Sequence, residues 1–144
     1  NGIIVDFNDQ KYYCFQFQTC SAYDDIKGAG VKEMDICALN CDEKILWLVE
    51  LKAFDNPNNK KYQPVDLNEG DNVIEYWINE LYKKAVHTLC MLSTNRSGTL
   101  DCITKKDAQS TITGPDCKYK VVCLINTKQG QESYLQFIQD RLQE

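Results

Sequence analysis

The sequence predicts an α/β (α+β) fold in which strands pack against helices. Three observations carry that expectation. The run ILWLVELKAF, Ile45 to Phe54, is apolar on both pleat faces apart from Glu50 and Lys52, as a central, covered strand is. Apolar residues between about 72 and 92 recur at three- and four-residue steps, the period of a helix buried along one face. The chain then closes with a second apolar run, about Tyr119 to Asn126, and the amphipathic segment SYLQFIQDRLQE.

Composition sets the frame for these elements. A chain of 144 residues with 43% hydrophobic and 26% charged residues, seven Gly and three Pro is long enough to bury a core without staples, and a single domain over 1–144 is expected. Disordered and fibrous classes drop out. No stretch reaches the 18 or more apolar residues of a membrane helix, and NGIIVDFNDQ lacks the basic and apolar regions of a signal peptide, so the expected compartment is the cytoplasm, with no membrane partner. The formal net charge of -5 weighs against a broad basic surface for nucleic acid. Local basic runs remain at Lys60 and Lys61, Lys83 and Lys84, and Lys105 and Lys106, and a cation site itself adds acidic residues that the ion neutralises. Eight cysteines raise the question of zinc or disulfides. There is no CxxC and His87 is the only histidine, so zinc-knuckle spacing is missing. Cys123 in VVCLIN and Cys90 in HTLCML sit in apolar runs, where a reduced thiol behaves as a small hydrophobe.

Taken in order, the opening reads as a β-hairpin: Ile3 to Phe7, a turn at Asn8 and Asp9, and the aromatic run KYYCFQFQ. The polar connection SAYDDIKGAG follows, its two glycines favouring a turn. Val31 to about Leu39 forms a strand, NCDE a tight turn, and Ile45 to Phe54 the strand that returns beside it. The Pro-, Asn- and Lys-rich DNPNNKKYQPVDLNEGD belongs on the surface. The helix over 72–92 aligns Ile74, Trp77, Ile78, Leu81, Ala85, Thr88, Leu89 and Leu92, with Asp71 as N-cap and Glu75 in the first turn. From Ser93 to Asp116 the pattern is uneven, with a short strand at TLDCIT and a stop at Gly114 and Pro115. A strand and a closing helix complete the chain.

The chemistry lies in the central hairpin. On ILWLVELKAF, one pleat face carries Leu46, Leu48, Glu50 and Lys52, so two charges follow each other on a face that is otherwise apolar. Ionised groups in a dry setting cost several kcal/mol each unless they are paired or bind a metal. On VKEMDICAL, Glu33, Asp35, Cys37 and Leu39 share a face, and a tight NCDE turn can bring Asp35 beside Glu50. Hard divalent cations such as Mg2+ or Mn2+ take carboxylate and carbonyl oxygens, which makes Asp35, Glu50 and the Leu51 carbonyl sensible ligands. Lys52 is then placed to position an attacking water, where desolvation and a cation would ease loss of its proton.

This arrangement resembles the PD-(D/E)xK nuclease superfamily, whose signature is an acid on one strand and Glu-x-Lys on the next: here Asp35, then Glu50, Leu51 and Lys52. The resemblance touches most of residues 22 to 143 and implies a restriction-endonuclease-like core, a central mixed β-sheet flanked by helices, with the N-terminal hairpin added to it. It also implies a Mg2+- or Mn2+-dependent endonuclease acting on nucleic acid, DNA foremost, in restriction, phage defence, repair or mobile elements, and a homodimer or larger complex where both strands are cut. Met34 stands where many relatives have Pro, and the acid that relatives carry on an N-terminal helix has only Asp24 or Asp25 as counterpart. The helper residue on the following helix matches Lys84 in ELYKKAVHTL better than His87, which the helical wheel turns towards solvent.

Bland readings stand beside each of these. Glu50 and Lys52 can form a structural ion pair, Asp35 can be a strand-edge carboxylate, and Lys84 has Glu80 four residues earlier as a routine surface partner. His87 reads as a surface histidine, Asp24 and Asp25 as a solvated turn, and YYCFQF as core rather than a base-stacking platform. Two alternatives to an enzyme follow: a nuclease-like domain that no longer cuts and serves as a protein-interaction module, and, more remotely, a cysteine-based redox or zinc module.

Overall fold

Four strands, β1 (Tyr12–Phe15), β2 (Ile36–Asn40), β3 (Ile45–Ala53) and β4 (Lys118–Asn126), form one mixed sheet in that spatial order. The computed structural model describes residues 3–7, 11–53, 67–94, 101–126 and 132–143. β1 pairs antiparallel with β2, and β2 with β3 around the turn at 41–44, while β3 and β4 run parallel. β3 is therefore an inner strand, as its two apolar faces require. The helices are α1 (Ser21–Ile26), α2 (Leu67–Thr94), α3 (Lys106–Thr113) and α4 (Glu132–Gln143). The chemistry of the hairpin turn is local: the Asn40 side-chain oxygen accepts the N–H groups of Asp42 and Glu43, both at 3.1 Å, and Lys44 takes up a left-handed φ of 54°.

The core lies on the sheet face that carries Cys37, Leu39, Leu46 and Leu48, all fully buried. The register Cys37↔Leu48 and Leu39↔Leu46 brings them together. Trp77, Leu81, Ala85 and Leu92 of α2 belong to the same cluster, with Ala108 and Ile112 of α3 and Ile138 of α4. Each buried leucine or isoleucine among them contributes about 1.5–3 kcal/mol of burial, and the alanines less. From Trp77 onward the expected stripe on the long helix is thus the one that docks, while the Ile74 side chain lies outside the described residues. No helix among the described residues is long and apolar enough to cross a membrane.

Several expectations are corrected. Ile3–Phe7 is not a strand of the sheet; β1 pairs with β2 instead, so the N-terminal hairpin does not form, and the turn expected at Asn8 and Asp9 lies outside the described residues. The connection SAYDDIKGAG holds α1, because Tyr23 anchors it in the core and the carboxylate of Asp101, far along the chain, accepts the Ser21 N–H at 2.9 Å. The strand expected from Val31 begins only at Ile36. Helix α2 starts at Leu67, so Asp71 lies within its first turns rather than at its N-cap; Gly70, a poor helix residue, disguised that start. Residues 101–104 of the expected strand TLDCIT are turn and irregular chain, and α3 follows with only Ala108 and Ile112 buried, too short a stripe to read from sequence. Gly114 does close α3: a Cβ there would meet the Ser110 and Thr111 carbonyl oxygens at 3.2 Å.

Candidate active site

Asp35 occupies a bend immediately before β2. The preceding backbone is held by α2 rather than by a strand. The Lys32 N–H donates to His87 Nδ1 at 3.1 Å, and the Met34 N–H to Thr88 Oγ1 at 2.9 Å. From the other side the Gln16 amide donates to the Asp35 carbonyl at 3.1 Å. The last β2–β3 pair is Ile36↔Val49, and one further step of that antiparallel register sets Asp35 opposite Glu50 on the helix-covered face.

Four ionised side chains meet there. Glu50 is buried, with 1% of its surface exposed. Lys84 of α2 donates to both of its oxygens, Oε1 at 2.7 Å and Oε2 at 2.8 Å, and to Asp35 Oδ1 at 3.4 Å. Lys52 reaches Glu50 Oε1 at 3.0 Å. The second Asp35 oxygen accepts the Leu51 N–H at 2.7 Å. In an extended strand a residue's N–H and C=O point to the same neighbour, so the Leu51 carbonyl also faces the Asp35 side. The Asp35 and Lys52 side chains retain 31% and 30% exposure, which makes that side of the quartet its opening to solvent.

Burial by itself would lower the pKa of Lys84. The hydrogen bonds and charge of Glu50, and then Asp35, outweigh it and raise the pKa, so the ammonium is firmly protonated. Cys123 lies beside Glu50 in the β3–β4 register, and its thiol is pushed up to about 12, chiefly by burial and then by the Glu50 charge.

The expected residues Asp35, Glu50, Lys52 and Lys84 are therefore brought together. Glu80, the routine partner foreseen for Lys84, is instead engaged by Lys32 and Lys83. His87 is a correction: it is half-buried and clamps the Lys32 backbone, rather than facing solvent without a partner. Asp24 and Asp25 sit exposed on α1, Asp24 paired with Lys27 at 2.6 Å, and neither is bonded to the quartet among the described residues. No disulfide joins any of the eight cysteines; Cys20 and Cys37 are buried, whereas Cys90, placed inside by its apolar neighbours, is exposed. Sequence reasoning assigned Thr88 to packing alone and passed over Gln16. A hydroxyl within an otherwise apolar helical stripe was the available signal for Thr88.

Among the described residues no group of three or more His, Cys, Asp or Glu is placed to hold a metal ion. Two carboxylates and a carbonyl fall short of a zinc or calcium cage; they are donors of the kind magnesium uses, with one or two carboxylates and several waters, and here all four carboxylate oxygens are engaged by Lys84 or by the Leu51 N–H. Comparison with protein-family models, curated proteins and solved structures finds no match to this chain.

Proposed function

We propose that the chain is a metal-dependent nuclease of restriction-endonuclease-like type that hydrolyses phosphodiester bonds in DNA. The observation that supports it is the convergence of Asp35 and Glu50 on a single cation, the Lys84 ammonium, with Lys52 on the same glutamate. One carboxylate on an inner strand and one at the bend leading into its neighbour share one cation, so their oxygens converge on a single position that a cation occupies. Asp35, Glu50 and the Leu51 carbonyl would hold Mg2+ or Mn2+, which supplies Lewis-acid polarisation of the scissile phosphate. Lys52, at the solvent-facing side, would orient the attacking water; to take that water's proton its ammonium would first release one of its own to solvent. The α2 clamp on residues 32–34 keeps Asp35 in place, and before an ion binds Lys84 limits repulsion between the two carboxylates.

Incubation of the purified chain with plasmid and with single-stranded DNA tests this reading. Cutting is expected with Mg2+ or Mn2+ and is lost in Glu50→Ala and Lys52→Ala. Undiminished cutting in both variants removes the quartet from the chemistry.

One observation favours a second reading, a non-cutting domain that binds proteins. The carboxylates are already neutralised by Lys84 and Lys52, so the site is electrostatically complete without a divalent ion. No detectable divalent-ion binding, together with a stable complex in pull-down, selects this alternative.

A further inference from the structure

We infer that the Lys84 ammonium is the resident counter-cation of the Asp35–Glu50 pair, and that a divalent cation binds those carboxylates only by displacing it. The inference rests on the metal-dependent reading above and concerns how that site is regulated.

An ammonium has three N–H donors, and Lys84 directs them at three carboxylate oxygens: Glu50 Oε1 at 2.7 Å, Glu50 Oε2 at 2.8 Å and Asp35 Oδ1 at 3.4 Å. Those oxygens are the ones a cation would need. Ion and ammonium thus compete for the same lone pairs.

Charge leads to the same conclusion. Asp35 and Glu50 against Lys52 and Lys84 is a neutral quartet, and Glu50 is 1% exposed. Adding a divalent ion with every group in place would leave two uncompensated positive charges where water screens poorly. Departure of one lysine removes half of that excess. Lys84 is the one that must leave, since it contacts both carboxylates, whereas Lys52 touches only Glu50 Oε1 at 3.0 Å. Its side chain is 20% exposed, and the flexible four-carbon stem lets the ammonium swing into water while its backbone stays in α2.

The test compares Mn2+ binding to the full chain, followed by the free-ion resonance signal and by the Mn2+-dependent rise in unfolding midpoint. Wild type, Lys84→Gln and Lys84→Arg are measured at one ionic strength. Lys84→Gln keeps polar contacts but removes the competing charge, and is expected to bind Mn2+ about tenfold tighter, within the usual range of coupling between two ligands. Lys84→Arg grips Glu50 with a bidentate fork and is expected to bind several-fold more weakly than wild type. If Lys84→Gln folds only when Mn2+ is supplied, that rescue also supports the exchange. Equal affinity in all three proteins overturns the inference and leaves the metal-dependent reading standing. Absence of Mn2+ binding in all three overturns both.

Discussion

Lys84 holds both carboxylate oxygens of Glu50, at 2.7 and 2.8 Å, across 34 residues of sequence. That bond joins the middle of α2 to the inner strand of the sheet at the point where the buried face turns from apolar to charged. Leu46 and Leu48 precede Glu50 on this face, and Ala85 and Leu81 neighbour Lys84 on the helix. The pair therefore closes the open end of the core.

Glu50→Gln preserves volume and removes the charge. Among the described residues it leaves the Lys84 ammonium with only Asp35 Oδ1, at 3.4 Å, as a charged partner, and breaking one side of a buried pair costs about 3–5 kcal/mol. Because Lys84 keeps some contact with water, the lower end, about 3 kcal/mol, is expected in urea unfolding. The double variant Glu50→Gln, Lys84→Met should recover part of the loss, and strict additivity of the two changes would contradict a direct pairing.

Thr88→Val tests the clamp on Asp35. The Thr88 hydroxyl is fully buried and accepts the N–H of Met34, itself fully buried. An isosteric valine leaves that donor unsatisfied, at a cost of about 1–3 kcal/mol. Faster hydrogen exchange at the Met34 amide, with the α2 amides unchanged, is the expected local signature. Under the proposed function, cleavage should also fall while substrate binding is retained, because Asp35 loses its seat and no substrate contact is removed.

The parts that were legible follow a simple physical division. β3 and the buried stripe of α2 have strong periodic patterns, and their partners are dictated by apolar burial. Glu50 and Lys52 stood out because charge on that strand requires compensation. Thr88 and His87 did not, since a backbone N–H is an invisible partner in sequence, and the 31–34 segment looks like a strand until its amides are seen to bond to a helix. The N-terminal run misled for a related reason. Tyr12 to Phe15 has strand character, but character does not choose a partner, and it pairs with β2, distant in sequence, rather than with the adjacent Ile3–Phe7. Helix α1 depends on Asp101 at its N-terminus, 80 residues from Ser21, which no local signal reports.

Alkaline pH should weaken the fold through Tyr23. Its phenol is pushed up to about 12, first by burial, then by its hydrogen bond to Glu33 and by the Glu33 charge. The folded state thus favours the neutral phenol. The stability it brings is fully present below the ordinary value of 10.0 and is lost as pH rises through about 12. Other tyrosines and lysines titrate in the same window, so the comparison is with Tyr23→Phe. The stability difference between the two proteins should shrink steadily across that interval, and a constant difference would show that folding does not raise the pKa of the Tyr23 phenol.

Thiol labelling offers a reporter inside the site. Cys14, Cys41 and Cys90 are exposed and should react first, whereas Cys37, buried and with its pKa raised mainly by desolvation, should react only on unfolding. Cys123 is the informative case. Its thiol, pushed up to about 12 by burial and then by Glu50, is partly offset by Lys52. Near neutral pH its thiolate fraction is tiny, and labelling is correspondingly slow. Glu50→Gln removes the raising charge and should accelerate Cys123, while Lys52→Met removes the lowering one and should retard it. Cys37 serves as the internal control: if it speeds up together with Cys123, the substitution has loosened the sheet, and only a change confined to Cys123 reports the field of the charged quartet.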